Sequence, residues 1–167
     1  MAEVLLINVA DIKALKPLGG NVDSDKIVPY IKAAQDTDLV AIIGEALLDK
    51  LKADIDASGL TGNYLTLVNT YIKPCLAFYT MVNYITFNTY QVKNAGTFKH
   101  SAEESETIDI RELNMLTQRL QDKAEAYGRK IVRYLCANSS DFPEYGDEDS
   151  HQQPPSSSEV FHGWNLD

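Results

Sequence analysis

A mainly α-helical chain, folded as a bundle of about four to five helices with an extended C-terminal tail, is predicted by three patterns in the sequence. Apolar residues recur at steps of three and four over long stretches. Glycines and small polar capping residues punctuate those stretches, and the composition changes sharply near residue 138. These patterns divide the chain into an N-terminal arm at 1–8, a helical domain at 9–137 and an acidic, Ser/Pro-rich tail at 138–167.

The first eight residues, MAEVLLIN, are short and apolar and suit either an edge strand or a docking arm. Asn8 offers a helix cap, and VADIKALKPL reads as a short helix ending near Pro17. The polar turn Asn21–Asp25 supplies Asp23 or Ser24 as a cap for the next helix. That helix carries Ile27, Ile31 and Ala34 on one side, with Pro29 early in it, where a missing donor costs little. A break is expected at Asp36-Thr37-Asp38. Thr37 or Asp36 would then cap a helix with the stripe Leu39, Val40, Ile43, Leu47, Leu48, Leu51 and Ile55, ending at Ser58-Gly59.

Leu65, Val68, Ile72, Cys75, Tyr79, Val82 and Ile85 define a further helix, with Pro74 inside it as an expected kink. The run YITFNTY is rich in Thr, Tyr and Phe and leaves 84–98 open as either helix or hairpin. Residues 91–107 read as an excursion around the turn Asn94-Ala95-Gly96. The last helix is expected over about 108–137, roughly 40 Å long, with the stripe Leu113, Leu116, Leu120, Ala124, Tyr127, Ile131 and Leu135. Its acids (Asp109, Glu112) gather early and its bases (Arg129, Lys130, Arg133) late, which suits the helix dipole.

The chain has 167 residues, 44% of them apolar, enough for one packed domain plus a tail. Its formal charge is −9, with seven of the 24 acids and no lysine or arginine in 138–167. The preceding residues carry 17 acids against 15 bases. An acidic balance disfavours a sequence-independent grip on DNA. No stretch has the roughly 20 consecutive apolar residues of a membrane span. The start, with Glu3 and no basic n-region, does not read as a signal peptide. Two distant cysteines, Cys75 and Cys136, each lie in an apolar helical pattern and read as buried, reduced thiols in a cytoplasmic protein.

No enzyme constellation emerges. His100, His151 and His162 lie in the excursion and tail without the spacing of a helical metal site. Gly19-Gly20 lacks the ending of a phosphate loop. Glu103, Glu104, Glu106 and Asp109 suit a helix N-terminus better than paired catalysis, and Asp147-Glu148-Asp149 lacks the glycine of a calcium loop. The expectation is therefore a non-enzymatic protein with no cofactor, no metal and no membrane contact. The tyrosines between Tyr64 and Tyr90 have few bases beside them for stacking on nucleic acid, so they read as core or subunit contact. Candidate partner-binding residues are Tyr84, Phe87, Tyr90 and Phe98, together with an aromatic hook at the end of the tail: Val160, Phe161, Trp164 and Leu166.

The phrases VADIKALKPL, DSDKIVPYIKAAQDTDLVAIIGEALLDKL and YLTLVNTYIKPCLAFYTMVNY resemble the helical head–tail connector (adaptor) proteins of tailed bacteriophages. VKNAGTF, followed by a long helix and YLCANSSDFPEY, is similar to the version in phages of Bacteroidetes, including crAss-like phages. The resemblance spans roughly residues 8–145 and carries no catalytic signature. It implies a virion structural protein made in the host bacterial cytoplasm, assembled as a ring homo-oligomer, a dodecamer in most such proteins. The ring would dock under the portal protein, extend the DNA channel without binding DNA specifically, and receive the next ring or tail proteins. The rival expectation is a soluble helical regulatory module whose acidic tail binds a single partner.

Overall fold

The computed structural model describes residues 4–15, 24–57, 59–88, 90–93, 96–99 and 110–146. For Ser24, Asn88, Ile110 and residues 90–93 and 96–99, the backbone alone is described. The fold is the predicted helical bundle. It begins with α1 (Val9–Ala14), set by a capping box: the Asn8 side chain accepts from the Asp11 N–H at 2.9 Å, and the Asp11 carboxylate accepts from the Asn8 N–H at 3.1 Å.

The expected break at Asp36-Thr37-Asp38 is absent. Helix α2 (Ser24–Ala33) passes through a π turn at Ala34–Leu39 into α3 (Val40–Ile43). Thr37 does not cap a new helix; its hydroxyl donates to the Ala33 carbonyl one turn back, a bond that a helical Thr makes without leaving the helix. The chain breaks instead at Gly44, where φ is +78°, a conformation that suits glycine. Pro29 sits in the second turn of α2, later than expected. Helix α4 (Glu45–Ala57) follows and ends ahead of Gly59, whose φ is +91°. Leu39, Ile43, Leu47, Leu48 and Leu51 of the stripe are buried on both sides of the Gly44 break, with Val40 partly buried, so a single apolar pattern serves two helices.

Pro74 is accommodated in a similar way. Helix α5 (Gly62–Thr66) runs through a second π turn, Leu67–Ile72, into α6 (Lys73–Asn88). Proline has no N–H for the carbonyl four residues back. A wider turn just before it re-partners those carbonyls and leaves Pro74 as the second residue of the α-helical run. Helix α6 is the centre of the bundle. Cys75, Leu76, Ala77, Thr80 and Met81 are fully buried and cover several of its faces, as expected of a helix enclosed on many sides. It stays helical through Tyr84 and Phe87, then gives way to an antiparallel hairpin of β1 (Tyr90–Lys93) and β2 (Gly96–Lys99), which settles the choice left open at 84–98.

Helix α7 (Ile110–Ala137) lies against α6. Tyr71 stacks on Tyr134 and Phe78 on Tyr127; as one number rises the other falls, so the two helices are antiparallel. Of the predicted α7 stripe, Leu120, Ala124, Ile131 and Leu135 are buried. Gly128 lets α3 approach closely, because a Cβ there would meet Ile42 Cδ1 at 3.1 Å. Leu116 is exposed, so the first turns of α7 lie outside the core. The late bases of α7 also stop short of its last turn, where the dipole would act on them most.

Both ends of the body are more tightly held than the sequence suggests. Leu6 and Ile7, expected in an edge strand or a docking arm, are buried in the subunit's own core. Beyond α7 the chain makes two 3-10 turns, Ser139–Asp141 and Pro143–Tyr145, and Phe142 is buried between them. The packed body therefore extends to Gly146, eight residues past the expected start of the tail. Phe142 meets Tyr64 and Tyr134 edge-on at 4.9 and 5.9 Å. Asn63 Nδ2 donates to Asp141 at 2.6 Å, and the Tyr64 hydroxyl donates to Glu144 at 2.8 Å.

Candidate interaction surfaces

Among the described residues no group of histidine, cysteine, aspartate and glutamate side chains is arranged to hold a metal ion, and no helix is long and apolar enough to cross a membrane. His100, His151, His162 and the carboxylates at 103–109 and 147–149 lie outside the described residues. Cys75 is buried; its thiol donates to the Ala124 carbonyl, and burial with the nearby Asp38 charge pushes its pKa up to about 12, which leaves it inert. Cys136 is exposed, in contrast to the buried thiol expected there, because its position faces away from the stripe that ends at Leu135.

Three features stand out among the described residues. The first is at the end of the bundle where α6 finishes and α7 begins, which the antiparallel pairing places together. Phe87 is 62% exposed, Met115 58% and Leu116 44%. Phe87 lies parallel to Tyr30 of α2 at 6.3 Å, and Tyr30 meets Tyr84 edge-on at 5.5 Å. Each aromatic thus fixes the next, and Phe87 is presented from a rigid helix. Of the candidate partner-binding residues, the structure brings Tyr84 and Phe87 together here. Tyr90 and Phe98 lie on the hairpin, where only the backbone is described, and they stand one position out of register, since Tyr90 pairs with Lys99 and Gln91 with Phe98. Val160, Phe161, Trp164 and Leu166 lie outside the described residues. Tyr30, whose ring organises the cluster, was not legible as a site residue because it stands alone in the sequence.

The second surface is an open groove of about 290 Å³ at the opposite end. Leu5, Ile55, Leu60 and Leu65 give it apolar walls, and Asn8, Asn69 and the pair Asp11–Lys73, 3.4 Å apart, form a polar border. Leu65 was expected in the core stripe but is 42% exposed at this groove. The π turn after it rotates the later stripe residues inward and leaves Leu65 behind.

A third feature is internal. In the first π turn, Asp38 accepts from Asn83 Nδ2 of α6 at 3.2 Å. Burial raises the Asp38 pKa, and the hydrogen bonds from Asn83 and Thr37 offset only part of that shift. Next to it, burial and then the Cys75 and Asp38 charges push the Tyr79 pKa up to about 12.

Fold and surfaces together define a small helical bundle that keeps apolar contact surface at both ends. The chain belongs to the Family of unknown function (DUF6712), whose model matches residues 39–154. The match opens inside the first π turn and takes in the Gly44 break, α4 to α7 and the two 3-10 turns. No curated protein and no solved structure matches the chain.

Proposed function

We propose that the protein is a structural virion component, the ring-forming subunit of a head–tail connector (adaptor) that docks under the portal of a tailed bacteriophage and extends the DNA channel. The observation that carries this reading is the uncovered apolar end of the bundle, with Phe87, Met115 and Leu116 exposed on rigid helices. Large apolar side chains left exposed at one end of a packed body suit a surface that receives a partner, and identical subunits that meet head to tail close into a ring when the rotation closes. The resemblance of residues 8–145 to phage connector proteins supports the same reading. Tyr84 and Phe87 would then meet the neighbouring subunit, with the hairpin carrying Tyr90 and Phe98 reaching beside them. The hook residues Val160, Phe161, Trp164 and Leu166 would join the contact as the ring assembles.

Negative-stain electron microscopy of the purified protein, alone and mixed with portal rings, tests the proposal. Closed rings, formed freely or on the portal, are the expected result. Single small particles in both samples, with binding to one client protein lost when the chain is cut after Gly146, would establish the regulatory module instead.

A further inference from the structure

The geometry points to the groove between α4, α5 and the N-terminal segment as the seat, in the free subunit, of the chain's own C-terminal aromatic segment, Val160–Leu166. This inference is independent of the ring reading. The groove needs an apolar occupant, because Leu5, Ile55, Leu60 and Leu65 stay partly exposed along it. Val160, Phe161, Trp164 and Leu166 are an apolar cluster at the end of an otherwise polar tail, and an indole fits within about 290 Å³.

The point where the described chain ends identifies the occupant. Glu144 accepts a hydrogen bond from the Tyr64 hydroxyl at 2.8 Å, and Leu65 of the groove wall is the next residue. The Pro143–Tyr145 turn also packs against α4, so the described chain ends close to the two helices, α4 and α5, that wall the groove. Thirteen residues separate Gly146 from Val160, enough to span up to roughly 45 Å at ~3.5 Å each. The hook need not travel that far, so a short intramolecular tether holds it near the groove at an effective concentration on the order of millimolar. A second copy reaches that concentration only in a crowded assembly. The other apolar end of the bundle lies about 20 residues back along α7, about 30 Å away, and is the poorer seat.

Trp164 is the chain's one tryptophan, so its fluorescence reports the seat directly in the full-length protein. The expected result is blue-shifted emission protected from acrylamide and unchanged on dilution. Leu65→Glu should shift the emission to that of free indole and remove the protection while the far-ultraviolet circular dichroism stays helical. Leu116→Glu, at the opposite end, should change neither. Emission already that of free indole in the wild type, a blue shift lost on dilution, or equal effects of the two substitutions would each overturn the inference. Should Leu65→Glu fail to fold, Ile55→Gln replaces it with the same expected and contrary outcomes.

Discussion

Gln35 pairs with Leu6 as one strand pairs with another. Its side-chain Oε1 accepts the Leu6 N–H at 2.9 Å, and its Nε2 donates to the Val4 carbonyl at 3.2 Å. The Gln35 side chain is fully buried, and Leu6 is buried too. A single amide in the first π turn thus satisfies two backbone groups of the N-terminal segment that would otherwise be stranded against the core. The widened turn is what brings Gln35 to that position. Leu6 and Ile7 can then enter the core beneath it.

Gln35→Leu keeps the bulk and removes both bonds, leaving the Leu6 N–H without its partner in an apolar setting. The expected loss is roughly 2–4 kcal/mol, read as a lower urea midpoint, with faster hydrogen exchange at the Leu6 amide. An unchanged midpoint would show that the segment is held by its apolar side chains alone.

Much of the fold was legible in the sequence because the cues were local. Asn8 announces α1, Gly59 ends α4, and the steps between Leu120 and Leu135 mark the buried face of α7. What escaped depends on distant contacts. The polar run Asp36-Thr37-Asp38 carries the composition of a cap, yet Lys32, Lys52 and Asn83 occupy its carboxylates within a continuous helix. Gln35 looks like any surface glutamine until the N-terminal segment folds over it. Phe142 sits in a polar stretch and becomes core only because Tyr64 and Tyr134 converge on it. Of the interaction surfaces, Tyr84 and Phe87 were readable as candidate contact aromatics, whereas the groove was not, since its walls come from three separate parts of the chain.

Thr80 offers a test in the opposite direction. It is fully buried, and its hydroxyl has no hydrogen-bond partner among the described residues. Thr80→Val replaces that hydroxyl with a methyl group of the same shape. The expected result is a gain of about 1 kcal/mol in unfolding free energy; a loss of similar size would mean the hydroxyl is satisfied in solution.

The α7 stripe should divide at its middle. Leu120→Ala, in the core, is expected to cost about 2–5 kcal/mol. Leu116→Ala, one turn away and exposed, should stay within about 0.5 kcal/mol. Equal losses in thermal or urea unfolding would contradict the boundary drawn between core and contact surface.

Two neighbouring carboxylates should respond to acid with opposite signs. Burial raises the Asp38 pKa above its ordinary 3.8, so the folded chain holds that proton more tightly than the unfolded one. Its ionised form therefore weakens the fold at neutral pH. That penalty is relieved as pH falls through the raised folded value, and the relief is complete below 3.8. For Asp36, burial alone would raise the pKa, but the Lys32 hydrogen bond and the Lys52 and Lys32 charges outweigh it and lower the value below 3.8. Its contribution is present above 3.8 and is lost as pH falls through the depressed folded value. Asp38→Asn should accordingly be more stable than wild type at neutral pH, with the advantage shrinking towards about pH 4. A pH-independent difference in urea midpoint would remove Asp38 as its source.

The central claim is that the apolar end of the bundle joins one subunit to the next, and sedimentation velocity with and without portal rings measures it most directly. The wild type should sediment as a closed oligomer of fixed size or bind the portal in fixed stoichiometry. Phe87→Asp, which alters a 62% exposed side chain, should remain folded and sediment as a monomer in both samples. A wild type that stays monomeric beside the portal, or a Phe87→Asp variant that assembles as well as wild type, would contradict the account.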